Sequence, residues 1–356
     1  MDKTTCSQRP DRNAWPPLGP TSGKKLRSVA LLMLVTIFVT VGPATSQENQ
    51  PADQRPAKPA VVPGQVLTAA QQKQVIGWIK ELGDRRYATR QQAQTHLLAM
   101  GWPAIPYLSQ AHRDPNPERR FRARQLSHEI RHRRAYREFQ QLGKQPDKTI
   151  DLDKAMIAIA RVIDPMVDDA DLIRQLDQLA SQVRKKLGPN VSPAELAPAK
   201  AVAVIQQVLF QQHGFTGEIA NYDHPNNSSL AHVLKNRKGL PILLSHVVVS
   251  VADRVDLPFV GVPIAGRYMV KYDGAQAPAG APQQDILLDP FGGGKILTWE
   301  QLQNMIPGLD RETALAASPK RETVVRMLRN LEADYLETGD HEAAERTASY
   351  RWLVER

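Results

Sequence analysis

The sequence predicts a mainly helical α+β protein with a small antiparallel sheet in its second half. Apolar residues recur at helical spacing from Thr68 to about Phe210, and a nearly apolar helix is expected over 242–255. Segments with strand-like alternation follow, and the last of them ends at Asp289. Hydrophobic residues make up 42% of the 356 residues, which is enough for a buried core.

The first 46 residues have the pattern of an export signal. A basic flank at 24–27 precedes an apolar run over 29–41, and the small residues 44–46 predict cleavage before Gln47. The run is shorter than the roughly 20 apolar residues that a membrane anchor needs, although an uncleaved anchor remains the alternative. We therefore expect an exported protein that is periplasmic, extracellular or associated with the cell envelope.

Cysteine content and charge limit the possible chemistry. Cys6 is the single cysteine and lies within the predicted signal, so the mature chain has no thiol for catalysis and no disulfide. The net charge of the whole chain is +9. Without residues 1–46 it falls to +5, from 40 basic and 35 acidic residues. No motif predicts a cofactor.

A linker and a helical region follow the signal. Residues 47–66 are rich in proline, which predicts an extended tether. From 67 to 140 short helices are expected: Thr68 is predicted to cap the first, and Thr89 with Gln92 to form a capping box on the second. The phrases Leu82-Gly83-Asp84 and Asp114-Pro115-Asn116-Pro117-Glu118 resemble HEAT-like helical repeats, and this resemblance implies a region that presents surfaces rather than an active site.

The last helix of this region is strongly basic. Nine arginines lie between His112 and Arg137 against three acidic residues. The sequence predicts contact with an anionic partner, such as a phospholipid surface, an acidic glycan or an acidic protein, and a solvated helix face is the alternative. The residues expected to make this contact are Arg120, Arg124, Arg131 and Arg134. Nucleic acid is excluded as a partner by the predicted export and by the lack of interleaved aromatic residues.

The same helix contains the pattern His-Glu-x-x-His at His128 to His132. On a helix this spacing places two imidazoles on one face, as in zinc metalloproteases. The surrounding arginines repel Zn²⁺, and no third ligand is evident further along the chain. His128 and His132 are therefore only weak candidates for metal ligands.

The densest set of motifs lies between Asn221 and Lys295. A polar turn (Asn221-Tyr222-Asp223-His224-Pro225) leads into a helix, and the phrase Arg237-Lys238-Gly239-Leu240-Pro241 opens the apolar one. Two strand-like segments and the phrase Asp289-Pro290-Phe291 complete the order. Over residues 150–309 this order resembles the transglutaminase-like superfamily, and most closely its SirB-like branch. The resemblance implies a papain-like core, with a cysteine at the start of the central helix and a histidine and an aspartate on the following strands.

In this sequence two of those three positions are replaced. The cysteine position falls on Pro241 and the histidine position on Arg267, whereas Asp289 keeps the aspartate. Proline has no nucleophilic atom, and arginine does not act as a base near neutral pH. Arg267 is expected either to pair with Asp289 or to bind a carboxylate or phosphate group.

After Leu309 the chain is expected to be helical again. Residues 310–356 resemble a tetratricopeptide-like helix pair, which needs a neighbour to bury its apolar face. The sequence as a whole predicts a non-catalytic binding or scaffolding protein of the cell envelope, with a protein or an anionic envelope component as partner. The alternative is a hydrolase or acyltransferase that uses the altered cleft on an amide or peptide bond.

Overall fold

The computed structural model describes residues 67–188, 191, 196–264, 267–277, 280 and 282–356. The predicted signal and the predicted linker lie outside the described residues. The helices are α1 (Ala69–Glu81), α2 (Tyr87–Met100), α3 (Ile105–Ala111), α4 (Pro117–Lys144), α5 (Leu152–Ile163), α6 (Asp169–Leu187), α7 (Pro198–Ile205), α8 (Leu230–Asn236), α9 (Pro241–Asp253), α10 (Trp299–Met305), α11 (Arg311–Ala314), α12 (Lys320–Glu337) and α13 (His341–Glu355). The strands are β1 (Thr216–Gly217), β2 (Lys238–Gly239), β3 (Phe259–Ile264), β4 (Arg267–Tyr272), β5 (Ile286–Asp289) and β6 (Lys295–Leu297).

The fold is mainly helical α+β, as the sequence predicts. Strands β3 to β6 form one antiparallel sheet in chain order, and β1 pairs with β2 in parallel. Helix α9 is buried along nearly its whole length and packs against β3 and β4. Its lack of a polar face is the reason that it lies in the centre, because a helix that is apolar all round is stable only when neighbours cover every side.

Helices α1 and α2 begin with different N-terminal caps. Thr68 caps α1 in a reciprocal capping box with Gln71, which confirms the predicted cap. The capping box predicted at Thr89 and Gln92 is wrong, because α2 already begins at Tyr87 and its N-cap residue Arg86 makes no side-chain cap. Asp84, just before that helix, accepts the Arg86 amide at 2.8 Å and organises the turn instead.

Helix α4 is much longer than the short helices expected in this region. Asn116 caps it by accepting the Arg119 amide, and the predicted seam of Ala123, Leu126 and Ile130 is buried. The helix continues past residue 140, the expected end of the region, to Lys144. Its second half packs against α13, so the N-terminal helices are continuous with the C-terminal pair.

The C-terminal pair, α12 and α13, packs on several neighbours. Helix α12 contacts α5 and the 3-10 turn at Pro225–Ser228, and α13 contacts α4. Gly143 of α4 shows how closely these helices approach, since a Cβ there would lie 1.9 Å from the Leu353 carbonyl oxygen. In the part of the chain that the structure describes, no helix is both long and apolar enough to cross a bilayer.

Candidate functional site

The candidate site lies where α9 begins beside the antiparallel sheet. A residue in the left-handed conformation, Arg237 (φ 63°), ends α8, and β2 then leads into Pro241, the first residue of α9. Proline suits this position, because its fixed φ matches the helix and the first amide of a helix has no intrahelical partner. Pro241 is buried and offers neither a nucleophilic side chain nor an N–H donor.

Arg267 is the first residue of β4 and is half-buried. Its Nη1 atom is 4.0 Å from the sulfur of Met305 in α10. Burial lowers the pKa of Arg267, and the nearby charge of Asp289 opposes that shift. An arginine remains protonated at neutral pH in spite of such a shift, so the histidine position carries a permanent positive charge rather than a base.

Asp289 ends β5 and is fully buried. Its Oδ1 atom accepts the Gly292 amide at 3.0 Å, whereas its Oδ2 atom accepts no hydrogen bond. Burial therefore raises the pKa of Asp289, and the Gly292 amide and the Arg267 charge counteract it only in part. The charge of Arg267 therefore acts on Asp289 electrostatically, whereas Asp289 Oδ2 accepts no hydrogen bond.

A glycine turn encloses the Asp289 carboxylate. Gly293 and Gly294 both have φ near +75°, and the Gly294 amide donates to the Asp289 carbonyl at 2.8 Å. A Cβ on Gly292 would lie 2.5 Å from Asp289 Oδ2. The run of three glycines is therefore a tight turn that packs closely around the carboxylate.

Sequence reasoning missed a second arginine at this site. Arg326 of α12 donates from Nη2 to the Arg267 carbonyl at 3.1 Å, and its guanidinium carbon lies 5.5 Å from the centre of the Tyr268 ring. Burial lowers its pKa. Arg326 lies between the buried residues Val325 and Met327 of α12. No local motif marks it, because only the docking of α12 brings it to β4.

Buried polar contacts also join α12 to the polar turn before α8. Ser228 donates to Asp334 Oδ2 at 3.2 Å, and both residues are buried. Asn227 reaches back to the carbonyl oxygens of Asn221 and Tyr222, which fixes that turn. The polar phrase of the sequence is therefore a structural joint between the core and the C-terminal pair.

Ser245 and His246 lie one turn into α9 and contact different elements. Ser245 Oγ donates to the Tyr268 carbonyl at 3.4 Å, whereas His246 Nε2 lies 3.0 Å from Asp153 Oδ1 of α5. Asp153 also meets Arg254 at 2.7 Å. Adjacent residues of a helix diverge by about 100°, so these two side chains do not form a nucleophile and base pair.

The four arginines expected to contact an anionic partner lie along one side of α4 but meet different neighbours. Arg120 and Arg124 donate to the carbonyl oxygens of Asp114 and His112, beside the end of α3. Arg131 and Arg134 instead line a cavity that α4 forms with α5, α12 and α13.

His128 and His132 line the same cavity. His132 Nδ1 lies 2.7 Å from the Tyr350 hydroxyl, and His128 Nε2 lies 3.7 Å from Glu342. Among the described residues, no group of three or more histidine, cysteine, aspartate or glutamate side chains is arranged to hold a metal ion.

Comparison with known proteins places this architecture in a family. Residues 170–329 match the family model described as the transglutaminase-like superfamily. The match therefore extends beyond the expected boundary at 309 and includes Arg326.

Several curated relatives align over more than half of the chain. A UPF0162 protein of Xylella fastidiosa is 33% identical over 213 residues, which cover 57% of this chain and 71% of that protein. A UPF0162 protein of Pseudomonas aeruginosa is 29% identical over 199 residues, covering 54% of this chain and 68% of the relative. Human F-box only protein 21 is 22% identical over 205 residues, covering 52% of this chain and 33% of that protein. No solved structure matches the chain. The predicted resemblance is thus confirmed, and the chain belongs to the UPF0162 family, the SirB-like branch of the transglutaminase-like superfamily.

Proposed function

We propose that this protein is an exported, non-catalytic member of its family that binds a partner at the cell envelope. One observation carries the proposal: Pro241 begins the central helix where the superfamily has its nucleophile, and Arg267 occupies the position of the base. Since neither side chain can perform the corresponding step, acyl transfer through a thiolate is not available to this chain.

The cleft itself favours an anionic or polar partner group. Arg267 and Arg326 place two cationic side chains on neighbouring elements, and the carbonyl of the first accepts a hydrogen bond from the second. Guanidinium groups bind carboxylates and phosphates in a bidentate manner, which suits an acidic protein or an anionic envelope component. Asp289 then limits how far such a group enters, because two anions in a buried site repel each other.

A second candidate function rests on Asp289. A buried carboxyl with a raised pKa and an unsatisfied oxygen has the properties of a general acid or base. Such a residue supports hydrolysis or acyl transfer at an amide or peptide bond without a thiol. We rank this alternative second because neither Pro241 nor Arg267 supplies a nucleophile that Asp289 could activate.

An activity assay decides between the two candidates. Purified protein is incubated with a glutamine-donor peptide and a labelled amine, and separately with amide substrates, beside an authentic transglutaminase as positive control. We expect no turnover. Turnover that persists through purification and disappears in both Arg267→Ala and Asp289→Ala would overturn the non-catalytic proposal and favour the second candidate.

Export is tested independently of the cleft. The basic flank and apolar run of residues 24–41 motivate it. N-terminal sequencing of protein from cell fractions is expected to begin near Gln47. An intact chain recovered from the cytosol contradicts export, and an intact chain in the membrane fraction identifies an uncleaved anchor.

The basic face of α4 is a second possible contact for an anionic surface. Arg124 is exposed and its side chain donates to the backbone carbonyl of His112, so reversing its charge disturbs little of the fold. Cosedimentation with anionic vesicles is expected to weaken in Arg124→Glu and at high salt, since exposed charges are screened over about 8–10 Å. Binding that is insensitive to both changes would leave these arginines as ordinary surface.

A further inference from the structure

A cavity lined by four arginines lies at the junction of four helices, away from α9. Its volume is about 250 Å³. Helix α4 contributes one wall, the end of α5 another, and α12 with α13 the third. The charged residues of its lining are Arg131, Arg134, Arg161, Arg346, Glu138 and Asp340. Four arginines thus face two carboxylates within the lining, and Asp169 and Glu342, just outside it, supply two more.

Two of these arginines belong to a balanced ion-pair network. Arg134 Nε lies 2.8 Å from Glu138, and Arg161 contacts both Glu138 and Asp169 at 2.8 Å and 2.5 Å. Asp169 also lies 3.8 Å from Arg134. Two guanidinium groups and two carboxylates neutralise one another, and Arg134 stacks at 4.0 Å over Trp102. This network holds the wall of the cavity in place.

The remaining acidic groups are also engaged. Arg346 Nη1 lies 2.5 Å from Glu342, which His128 approaches at 3.7 Å. Asp340 caps α13 by accepting the Ala343 amide at 3.0 Å. Neither carboxylate forms an ion pair with Arg131.

Arg131 is the arginine of this lining that forms no ion pair with a described carboxylate. Among the residues that the structure describes, it has no hydrogen bond to its side chain and no carboxylate oxygen within 4.0 Å, and its Nε atom is enclosed. Burial lowers the pKa of Arg131, and Asp164 attracts it only from a longer distance. A partly desolvated guanidinium without a partner costs free energy that a bound anion offsets.

The polar groups around Arg131 suit a phosphate. His132 lies beside it on α4, and its Nδ1 atom is 2.7 Å from the Tyr350 hydroxyl. Burial raises the pKa of Tyr350 to about 12, so the phenol stays protonated and brings no negative charge into the cavity. The volume is below the roughly 300–1,000 Å³ of pockets for drug-sized ligands, which favours a small ligand.

We propose that this cavity binds a small phosphate-bearing anion, with Arg131 as the residue that contacts the phosphate. The site is separate from the cleft at Pro241 and does not depend on the function proposed there. Because its walls come from helices at both ends of the described chain, an occupant stabilises the packing of α13 on α4.

The test compares inorganic phosphate with chloride at matched ionic strength, by thermal unfolding and titration calorimetry of the wild-type protein, Arg131→Gln and Arg133→Gln. Arg133 is the control, because it lies on the same helix, is exposed and pairs with Glu129. We expect a saturable phosphate-specific rise in Tm for the wild type and for Arg133→Gln. In Arg131→Gln the affinity should fall by about tenfold or more, since it loses a charge-assisted hydrogen bond.

An equal Tm shift in chloride, or unchanged phosphate affinity in Arg131→Gln, would overturn the proposal. If Arg131→Gln fails to fold by circular dichroism, Arg131→Lys replaces it, since lysine keeps the charge but loses bidentate contact. Retention of full phosphate affinity in Arg131→Lys counts against the proposal. A parallel titration with glycerol 3-phosphate identifies the source: tighter binding than inorganic phosphate assigns the site to an organic phosphate, and weaker binding assigns it to the free ion.

Discussion

Two aspartates near the central helix α9 occupy opposite electrostatic situations. Asp153 of α5 meets His246 at 3.0 Å and Arg254 at 2.7 Å. Burial alone would raise the pKa of Asp153, but its contacts with His246 and Ser250 and the charge of Arg254 hold that pKa well below its usual range. Asp289, on the side of the sheet, has one oxygen without a hydrogen bond and a raised pKa.

The difference separates a structural carboxylate from a candidate functional one. At Asp153 the fold supplies partners for the negative charge, so the group links α5 to α9. At Asp289 the fold encloses the charge in a glycine turn and leaves it incompletely stabilised. Natural folds retain such unfavourable groups mainly at sites that bind or react, and the retained aspartate is therefore the strongest sign that the altered cleft still has a role.

The largest effect is expected from removing the satisfied carboxylate. Asp153→Ala leaves His246 and Arg254 without their partner and should lower the free energy of unfolding by about 3 kcal/mol. Urea denaturation measures this change. Lys154→Ala is the matched control. Lys154 is the next residue in α5 and its side chain is 83% exposed, so this substitution should change the free energy of unfolding by less than about 0.5 kcal/mol. Equal effects in the two variants would refute the structural role of Asp153.

A smaller loss of stability is expected when a side chain is added at Gly292 in the glycine turn. In Gly292→Ala the new Cβ lies 2.5 Å from Asp289 Oδ2, so the turn must shift, at a cost of about 2 kcal/mol. Gly77→Ala serves as the control. It lies within α1, where the added Cβ meets nothing within 4 Å, and it should stabilise the protein by up to about 1 kcal/mol. Thermal unfolding of both variants checks the contrast, and a stabilised Gly292→Ala variant would contradict the close packing of the turn.

Neutralising the Asp289 carboxylate is expected to increase the stability of the protein rather than lower it. Asp289→Asn keeps an acceptor for the Gly292 amide and removes a buried charge, so stability at pH 7 should rise by about 1 kcal/mol. The pKa of Asp289 is raised in the folded protein. Its negative charge therefore destabilises the folded state only as the pH rises above about 3.9, the pKa of an aspartate in the unfolded chain. The gain should therefore vanish at low pH, as urea denaturation at pH 4 and pH 7 would reveal. A loss of stability at pH 7 would mean that Asp289 is as well paired as Asp153.

The Asp153 carboxylate also determines the acid limb of the stability profile. The folded pKa of Asp153 is depressed, so its contribution is complete above about pH 4 and is lost as the pH falls below that value. Wild-type protein should therefore lose stability on acidification more steeply than Asp153→Ala. Parallel curves for the two proteins below pH 4 would show that another group controls acid unfolding.

Much of the local structure follows from the sequence itself. The spacing of apolar residues predicts the helices, the alternation near 259–289 predicts the strands, and Thr68 predicts the cap of α1. The altered site can also be identified from the sequence, because the motif positions show directly that Pro241 and Arg267 replace the cysteine and the histidine. The failed prediction at Thr89 has a local cause, since the Asp84 turn starts α2 two residues earlier than Thr89.

The tertiary structure alone decides which of these residues meet. Arg326 reaches β4 across 59 positions of the chain, and His132 meets Tyr350 across 218. Arginines that look equivalent in the sequence of α4 separate into Arg124 beside the end of α3 and Arg131 in the cavity. Helix periodicity is a property of neighbouring residues, whereas the burial and pairing of a charge depend on which distant helix packs against it. The sequence therefore determines the elements and the loss of the thiol and imidazole, and helix packing determines where the remaining charges lie without partners.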